Sequence, residues 1–592
     1  MKPLKHLPPG SVSLKGTLGE AINLTTRNRL MRADYKLAVD AYRYHLDEKN
    51  GWNWRGEFWG KQMRGAAFWG KTVRSAIRAW EANPNDELKT IIDNTVIDLL
   101  STQDADGCIS SVVAKDQPDG LDIWNRKYAM LGLVRYCESM NHSPAIRTAL
   151  ARSLDHLMSQ VQPCSGKPLY QYGTHQGLSS ASILGAVIKI YRLTGEKRYL
   201  DFAKFLYEDP NGAKPVFDAI ESGLPPYQIL TGKAYEMMSC VEGMIELYRE
   251  TGDEKLLKTA YRHYRETLEQ EIFITGVGGL RDGMGEFWNQ GKLKQTSLED
   301  VGALGETCVT VTWIRFVLNL LREIREASMA DQIEIALYNG MLGSMTPEGA
   351  GYSHRNPTPL AGAGWRKTGA YQIRGYGDYD CCLAQGPEGI ATAARFAAMA
   401  DDDGTLCINL YEQASIKIPG GGTVEITGGY PYGGETKLTL SLDNPRTFNL
   451  ALRIPGWSKN TVCRINGEAV AVTPATYAEL NREWKNGDVI ELELDYTAHI
   501  EHAPDGSNYV AFVKGPIVYS RDSFLGNVNM PIPVDAKWEP TTYEMLGAFR
   551  SIIKLSDESR LVDYASAGNK FDTLNQLRVW LDPKTEEDTA QA

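Results

Sequence analysis

The chain has no apolar run long enough to cross a bilayer. Its first ten residues, Met1-Lys2-Pro3-Leu4-Lys5-His6-Leu7-Pro8-Pro9-Gly10, carry a positive flank without the apolar stretch of a secretion signal. No membrane partner is expected. The protein is expected in the cytoplasm, or in the periplasm or medium with its signal already removed. Positive charge is also short: 63 Lys and Arg stand against 74 Asp and Glu, for a formal net charge of -11, and no basic stripe is present. That balance excludes nucleic acid as the main partner. Nor is there a disulfide framework. The nine cysteines are odd in number and, one adjacent pair apart, scattered singly through 592 residues, as suits a reducing compartment.

What the chain does have is length for two or more domains, and an internal repeat. Ile190-Tyr191-Arg192-Leu193-Thr194-Gly195-Glu196-Lys197 recurs as Leu247-Tyr248-Arg249-Glu250-Thr251-Gly252-Asp253-Glu254, each a helix end, a glycine stop and an acidic restart. Fainter copies surround Trp80 and Tyr136, so that Trp80, Tyr136, Tyr191 and Tyr248 stand 56, 55 and 57 residues apart. That is the length of two helices with their turns. Continued to Leu321 and Ala394, the period gives five or six helical hairpins, whose compact closure is an (α/α)6 barrel; the other arrangement, an open superhelix, would need polar caps at both ends. The predicted fold class is multidomain α and β: a barrel catalytic domain over residues 1–400, then an antiparallel β-sandwich region.

The texture changes after Asp401. Lys437-Leu438-Thr439-Leu440-Ser441-Leu442 and Val489-Ile490-Glu491-Leu492-Glu493-Leu494 alternate with period two between Gly and Pro turns, predicting a sandwich over 401–500. Residues 501–592 are expected to form a second, smaller sandwich or an extension of the first, with the polar tail from Pro583 to Ala592 frayed.

Chemistry concentrates in Gly285-Glu286, in Gly305-Glu306-Thr307-Cys308, and about seventy residues later in Asp380-Cys381-Cys382. Glu306, Cys308, Cys381 and Cys382 are a mixed hard and soft donor set of the kind that holds zinc tetrahedrally, and Glu286 is a spare carboxylate. Two positions apart on a regular helix, Glu306 and Cys308 point roughly 200 degrees apart. They can share an ion only at a helix start, which Gly305 supplies. Adjacent Cys381 and Cys382 pose the same problem and predict a tight loop over 380–385. A vicinal disulfide or two buried structural thiols are the other readings of that pair.

These phrases, in order with Gly278-Gly279, Ala336-Leu337-Tyr338-Asn339-Gly340, Asn409-Leu410-Tyr411, Trp54-Arg55-Gly56-Glu57-Phe58-Trp59-Gly60-Lys61, Leu452-Arg453-Ile454-Pro455-Gly456-Trp457 and Arg464-Ile465-Asn466-Gly467-Glu468, resemble the β-L-arabinofuranosidases of glycoside hydrolase family 127. The resemblance runs from about residue 50 to 470. It implies Zn2+ as cofactor and a carbohydrate partner, with a homodimer allowed. It implies a retaining, exo-acting hydrolysis in which Cys381 is the nucleophile, Glu286 the acid/base, and Glu306, Cys308 and Cys382 the remaining zinc ligands.

Departures from the family bear on the sugar. Where relatives carry sugar-binding histidines, this chain has Arg126 and, near Ser180, His175. His354 replaces a tyrosine before Arg355-Asn356-Pro357, and Glu334 matches a sugar contact. Asn289 to Gln295 is an insertion expected near the mouth of the site. Arg126 and Arg355 would suit a carboxylated or branched furanose from plant pectin. Outside the family, the open readings are an (α/α)6 polysaccharide lyase or sugar epimerase, and a non-catalytic carbohydrate-binding relative.

Overall fold

The spacing of the four aromatic residues materialises as paired helices. The computed structural model describes residues 2–45, 67–161, 166–280, 285–296, 305–356, 358, 361–362, 380–534, 539–541, 549–569 and 576–584. The phrase from Trp54 to Lys61, Pro357 and the tail beyond 584 lie outside these residues. The paired helices are α1 (Thr17–Asn28), α2 (Phe68–Ala82), α3 (Asp86–Leu100), α4 (Asp122–Ser139), α5 (Pro144–Val161) and α6 (Leu184–Thr194). They continue with α7 (Lys197–Glu208), α8 (Ala234–Thr251), α9 (Glu254–Gln270), α10 (Thr307–Ile324), α11 (Ala327–Ile335) and α12 (Cys381–Ala397).

Local chemistry sets where these helices stop and start. Gly195 and Gly252 take φ of 72° and 70°, and each donates its N–H to the carbonyl of Tyr191 or Tyr248 at 2.7 Å, ending α6 and α8. The helices that follow α2 and α8 begin on side-chain caps: Asn85 accepts from the Leu88 N–H at 2.8 Å, and Asp253 from the Lys255 N–H at 3.0 Å.

The even-numbered helices pack each on the next from α2 to α12, and α12 returns to α2. The odd-numbered helices back them, α3 on α2, α5 on α4, α7 on α6, α9 on α8, α11 on α10 and α1 on α12. Every residue of α2 except Trp80 is buried, as a helix walled by others on all sides requires.

The sheets draw in both ends of the first 400 residues. One sheet has the order β1 (Lys5–His6), β3 (Ala398–Ala400), β4 (Leu406–Ile408), β8 (Arg446–Ile454), β11 (Thr476–Trp484). The other runs β10 (Glu468–Val470), β9 (Val462–Ile465), β12 (Val489–Glu493), β7 (Glu435–Ser441), β6 (Thr423–Gly428), β5 (Ala414–Lys417), β2 (Val12–Leu14). Pairing is antiparallel except between β4 and β8. Thr436, Leu438 and Leu440 of β7 are buried while Glu435, Lys437 and Ser441 are exposed, the period-two alternation of a half-buried strand.

A separate sheet holds β13 (His499–His502), β14 (Val510–Lys514), β15 (Ile517–Asp522), β16 (Ile552–Lys554) and β17 (Arg560–Asp563) with three further short strands, Glu539–Thr541, Gln576–Arg578 and, from before residue 498, Ala361–Gly362. It has a core of its own around Ala511, Val518, Val562, Tyr564 and Leu577. It is tied to the helices through Asn339, which sits in a π-helical turn over Ala336–Met341. That side chain donates to the Pro516 carbonyl and accepts from the Val518 N–H, at 2.8 and 2.9 Å.

Glu334, expected as a sugar contact, is corrected here. It is fully buried at the joint between α11 and the first sheet. Its carboxylate is bonded by Arg453, by the Trp457 indole N–H at 2.9 Å and by the Tyr430 hydroxyl, so no lone pair faces a substrate. Arg453, also fully buried, donates to Asp331 at 2.6 Å. Arg453→Ala should therefore destabilise the protein by about 3–5 kcal/mol, because two buried carboxylates lose their counter-charge. Urea unfolding reads this directly, and an unchanged midpoint would contradict the assignment.

Candidate active site and metal cluster

Two helix starts converge. Glu306 is the residue before α10 and keeps extended φ and ψ of -102° and 141°, which lets its side chain and that of Cys308, in the first turn, point the same way. Gly305 is required because a Cβ there would stand 2.1 Å from the Val277 Cγ1. Cys381 and Cys382 are the first two residues of α12 rather than members of a tight loop. Asp380 caps that helix, accepting from the Cys382 and Leu383 N–H groups at 2.8 and 3.4 Å. Since α10 packs on α12, both pairs meet, and two helix N-termini lend positive potential to them.

The geometry is tight. Cys308 Sγ lies 3.6 Å from Cys382 Sγ, and Cys381 Sγ lies 4.0 Å from Cys382 Sγ. Glu306 Oε1 is 3.6 Å from both Cys381 and Cys382 sulfurs. The four donors are within 4.8 Å of one another and can hold a metal ion. All eight described cysteines are free thiols. Glu306, Cys308 and Cys382 are fully buried, while Cys381 is partly exposed. The second oxygen of Glu306 is buried without a hydrogen-bond partner, an acceptor left for a cation.

Electrostatics mark the cluster as short of positive charge. Burial, then the charges of Glu286 and Cys381, pushes the Glu306 carboxyl well above its usual range. Burial raises the Cys308 and Cys382 thiols. Bonds from those two thiols, and then the His354 charge, pull Cys381 well below the ordinary thiol value. His354 stays charged against burial because Asp380 and Cys381 face it.

Glu286 comes from a segment that pairs with the start of α8. Its carbonyl accepts from the Ala234 N–H at 2.9 Å, Lys233 bridges to Phe287, and the Lys233 ammonium is ion-paired with the Glu286 carboxylate. Its charge is one of those that raise the Glu306 carboxyl.

The expected substrate contacts divide. His354 does reach the cluster, 3.8 Å from Cys381 Sγ, but it is bonded to Asp380. His354 and Asp380 also form with the cysteine pair a second set of possible metal donors. Their bond to each other and the capping role of Asp380 favour the set with Glu306 and Cys308. His175 packs edge-on against Phe287 at 5.7 Å, next to Glu286. Arg126 is corrected: it is fully buried, 2.8 Å from Asp122 and bonded to Gln160 at 3.0 Å and to His156 at 3.2 Å. Its Nη1 is taken by α5, and its Nη2 faces the Asp122 carboxylate of α4. The insertion Asn289 to Gln295 folds over Glu271, whose carboxylate accepts from the N–H groups of Asn289, Gln290 and Gly291 at 3.0 to 3.1 Å.

Two lysines add charge here that the motifs do not signal. Lys233 pairs with Glu286, and Lys71 is fully buried with no hydrogen-bond partner, its Nζ 4.9 Å from the Trp124 and Tyr128 rings and 5.4 Å from that of Tyr235. Against burial, Tyr128, Cys308, Cys381 and Glu306 hold Lys71 charged. The signal for it was a lysine inside the apolar run Phe68-Trp69-Gly70-Lys71.

Comparison with known proteins gives the family. The GH127 β-L-arabinofuranosidase catalytic domain matches residues 17–395, and the GH127 middle domain matches residues 405–496. A non-reducing end β-L-arabinofuranosidase of Bifidobacterium longum subsp. longum is 25% identical over 501 residues, covering 76% of this chain and 74% of that protein. A GH127 β-L-arabinofuranosidase from Geobacillus stearothermophilus T6 superimposes with a TM-score of 0.75 at 20% identity, covering 97% of this chain and 100% of the other. Another GH127 β-arabinofuranosidase gives 0.76 at 19% identity, with 98% of each chain covered. The chain therefore belongs to glycoside hydrolase family 127, the β-L-arabinofuranosidase family, and is a glycoside hydrolase.

Proposed function

We propose that the protein is an exo-acting, retaining furanosidase that removes a terminal β-L-arabinofuranoside-like sugar with Cys381 as nucleophile and Glu286 as acid/base. The observation that carries this is a single partly exposed thiol set among three buried donors, with a lysine-held carboxylate beside it. Its frame is read as an (α/α)6 barrel followed by a β-sandwich.

In the first step the Cys381 thiolate forms a bond to the anomeric carbon as the bond to the leaving oxygen breaks, and Glu286 gives that oxygen its proton. In the second, Glu286 takes a proton from water, the water oxygen bonds to the same carbon, and the carbon–sulfur bond breaks to return the thiolate. Two displacements give net retention. Lys233 fixes the carboxylate of Glu286 for both roles.

Zinc fits the donor set. With zinc–sulfur bonds of about 2.3 Å and zinc–oxygen bonds of about 2.0 Å, a tetrahedron has sulfur–sulfur edges of about 3.8 Å and sulfur–oxygen edges of about 3.5 Å. The observed separations of 3.6 and 4.0 Å, and of 3.6 Å, match these. Held by Glu306, Cys308, Cys381 and Cys382, zinc would supply the positive charge that keeps the sulfur ionised at neutral pH and a tolerable leaving group afterwards.

Arg126 gives no support to a carboxylated sugar, because it is spent on Asp122; of the two arginines in that reading, Arg355 is the one whose backbone bridges to Glu306. Turnover of p-nitrophenyl β-L-arabinofuranoside, with NMR of the first-formed sugar, tests the reading: a β product supports it, and an α product or exclusive cleavage of carboxylated furanosides would overturn it. Glu286→Gln should lower kcat/KM by about 10²–10⁴ on glycosides with poor leaving groups, and by less on p-nitrophenyl glycosides, which need little protonation. Equal losses on both would argue against an acid role.

A further inference from the structure

The end of the helix ring opposite the thiols carries a pattern that glycoside cleavage does not use. Each even-numbered helix brings one arginine to its C-terminal portion: Arg78, Arg135, Arg192, Arg249, Arg322 and Arg395. The first four are 57 residues apart at each step, so the repeat that makes the helix pairs also places the guanidiniums. All six line one cavity of about 310 Å³. Arg395 lies 14 residues beyond Cys381 on α12, about 21 Å along the helix axis, so this cavity is separate from the sugar site.

Charge in the cavity does not balance. Ten lysine and arginine side chains line it against three glutamates. Behind the wall, Glu81, Glu250, Glu323 and Glu388 also pair with members of the ten. That makes seven carboxylates for ten basic side chains among the described residues, nine of them without Lys127, which burial pushes down to about 7. Arg322 shows where the excess falls: its Nε donates to the Leu4 carbonyl at 3.0 Å, and no described carboxylate pairs with it. Burial first, and then Arg249, push it down to about 10. Arg78 is only 5% exposed, and its Nε has no hydrogen-bond partner.

Arginine near a helix C-terminus is favourable by itself, since it offsets the carbonyl end of the dipole. That explains the residue type but not the inward arrangement. Like charges sharing a low-dielectric void repel, and a surface position would expose each to water. We propose that this cavity binds a small polyvalent oxyanion of the phosphate or sulfate class. Guanidinium forks match the paired oxygens of such an anion, and the cavity supplies them from several directions.

Isothermal titration of the full-length, metal-loaded protein with inorganic phosphate tests this, alongside thermal unfolding in phosphate, sulfate, and sodium chloride of equal ionic strength. Phosphate and sulfate should raise Tm saturably where chloride does not, and Arg322→Gln should raise the phosphate Kd by about tenfold or more. Arg192→Gln, a change at the more exposed mouth of the cavity, should raise it several-fold and serves as the test if the first variant does not fold. Cys382→Ser should bind phosphate like the wild type, which separates the cavity from the thiol cluster. Equal stabilisation by chloride, or wild-type Kd values in both arginine variants, would overturn the proposal.

Discussion

Cys381→Ala is expected to lower kcat by about four orders of magnitude or more while leaving the fold intact, since removal of an attacking atom leaves only binding and acid assistance. The expectation is specific to this thiol. Cys308 and Cys382 are fully buried, whereas Cys381 is partly exposed at the first position of α12. It is also the cysteine whose proton is held least tightly, because the neighbouring thiols donate to it and His354 faces it. The same variant should fail to be labelled by a cysteine-directed furanose mimic, which in the wild type should modify the peptide containing Cys381. Less than a tenfold loss in kcat would remove Cys381 from the nucleophile role.

The second large effect is expected at Cys382. Serine there replaces a soft donor by a hydroxyl that stays protonated, and the remaining donors should hold zinc at least about a hundredfold more weakly. Activity should fall with metal content and recover in part when excess zinc is added. Cys381→Ala, by contrast, should gain nothing from added zinc, because the attacking atom itself is gone. Identical behaviour of the two variants would mean that the cluster does not separate a holding role from a reacting one.

Much of the framework was legible in the sequence because its signals are local. A glycine able to adopt positive φ ends α6 and α8, and Asn85 and Asp253 start the helices that follow α2 and α8. The helix start at Glu306 was legible for the same reason. The start at Cys381 could have been, since Asp380 is a capping residue placed directly before the pair. The two adjacent thiols by themselves point to a loop; the aspartate before them is what marks a helix start.

What stayed hidden depends on partners far along the chain. Glu334 looks like a sugar contact until Arg453, 119 residues later, is seen to close over it. Arg126 looks like a carboxylate receptor until Asp122, Gln160 and His156 surround it. Strands β1 and β2 are two and three residues long, too short for any alternation to show, so the membership of the N-terminus in the sheets could not be seen. The arginine ring is different: its period was present in the sequence, but only the closure of the helices turns a period into a shared cavity.

One ion held by three sulfurs and a carboxylate is the centre of the proposed chemistry, and zinc-edge X-ray absorption of protein purified without added metal tests it most directly. The prediction is about one zinc per chain with three sulfurs at about 2.3 Å and one oxygen at about 2.0 Å. Zinc-free protein with an oxidised Cys381–Cys382 pair, or a zinc shell of nitrogen and oxygen alone, would contradict it.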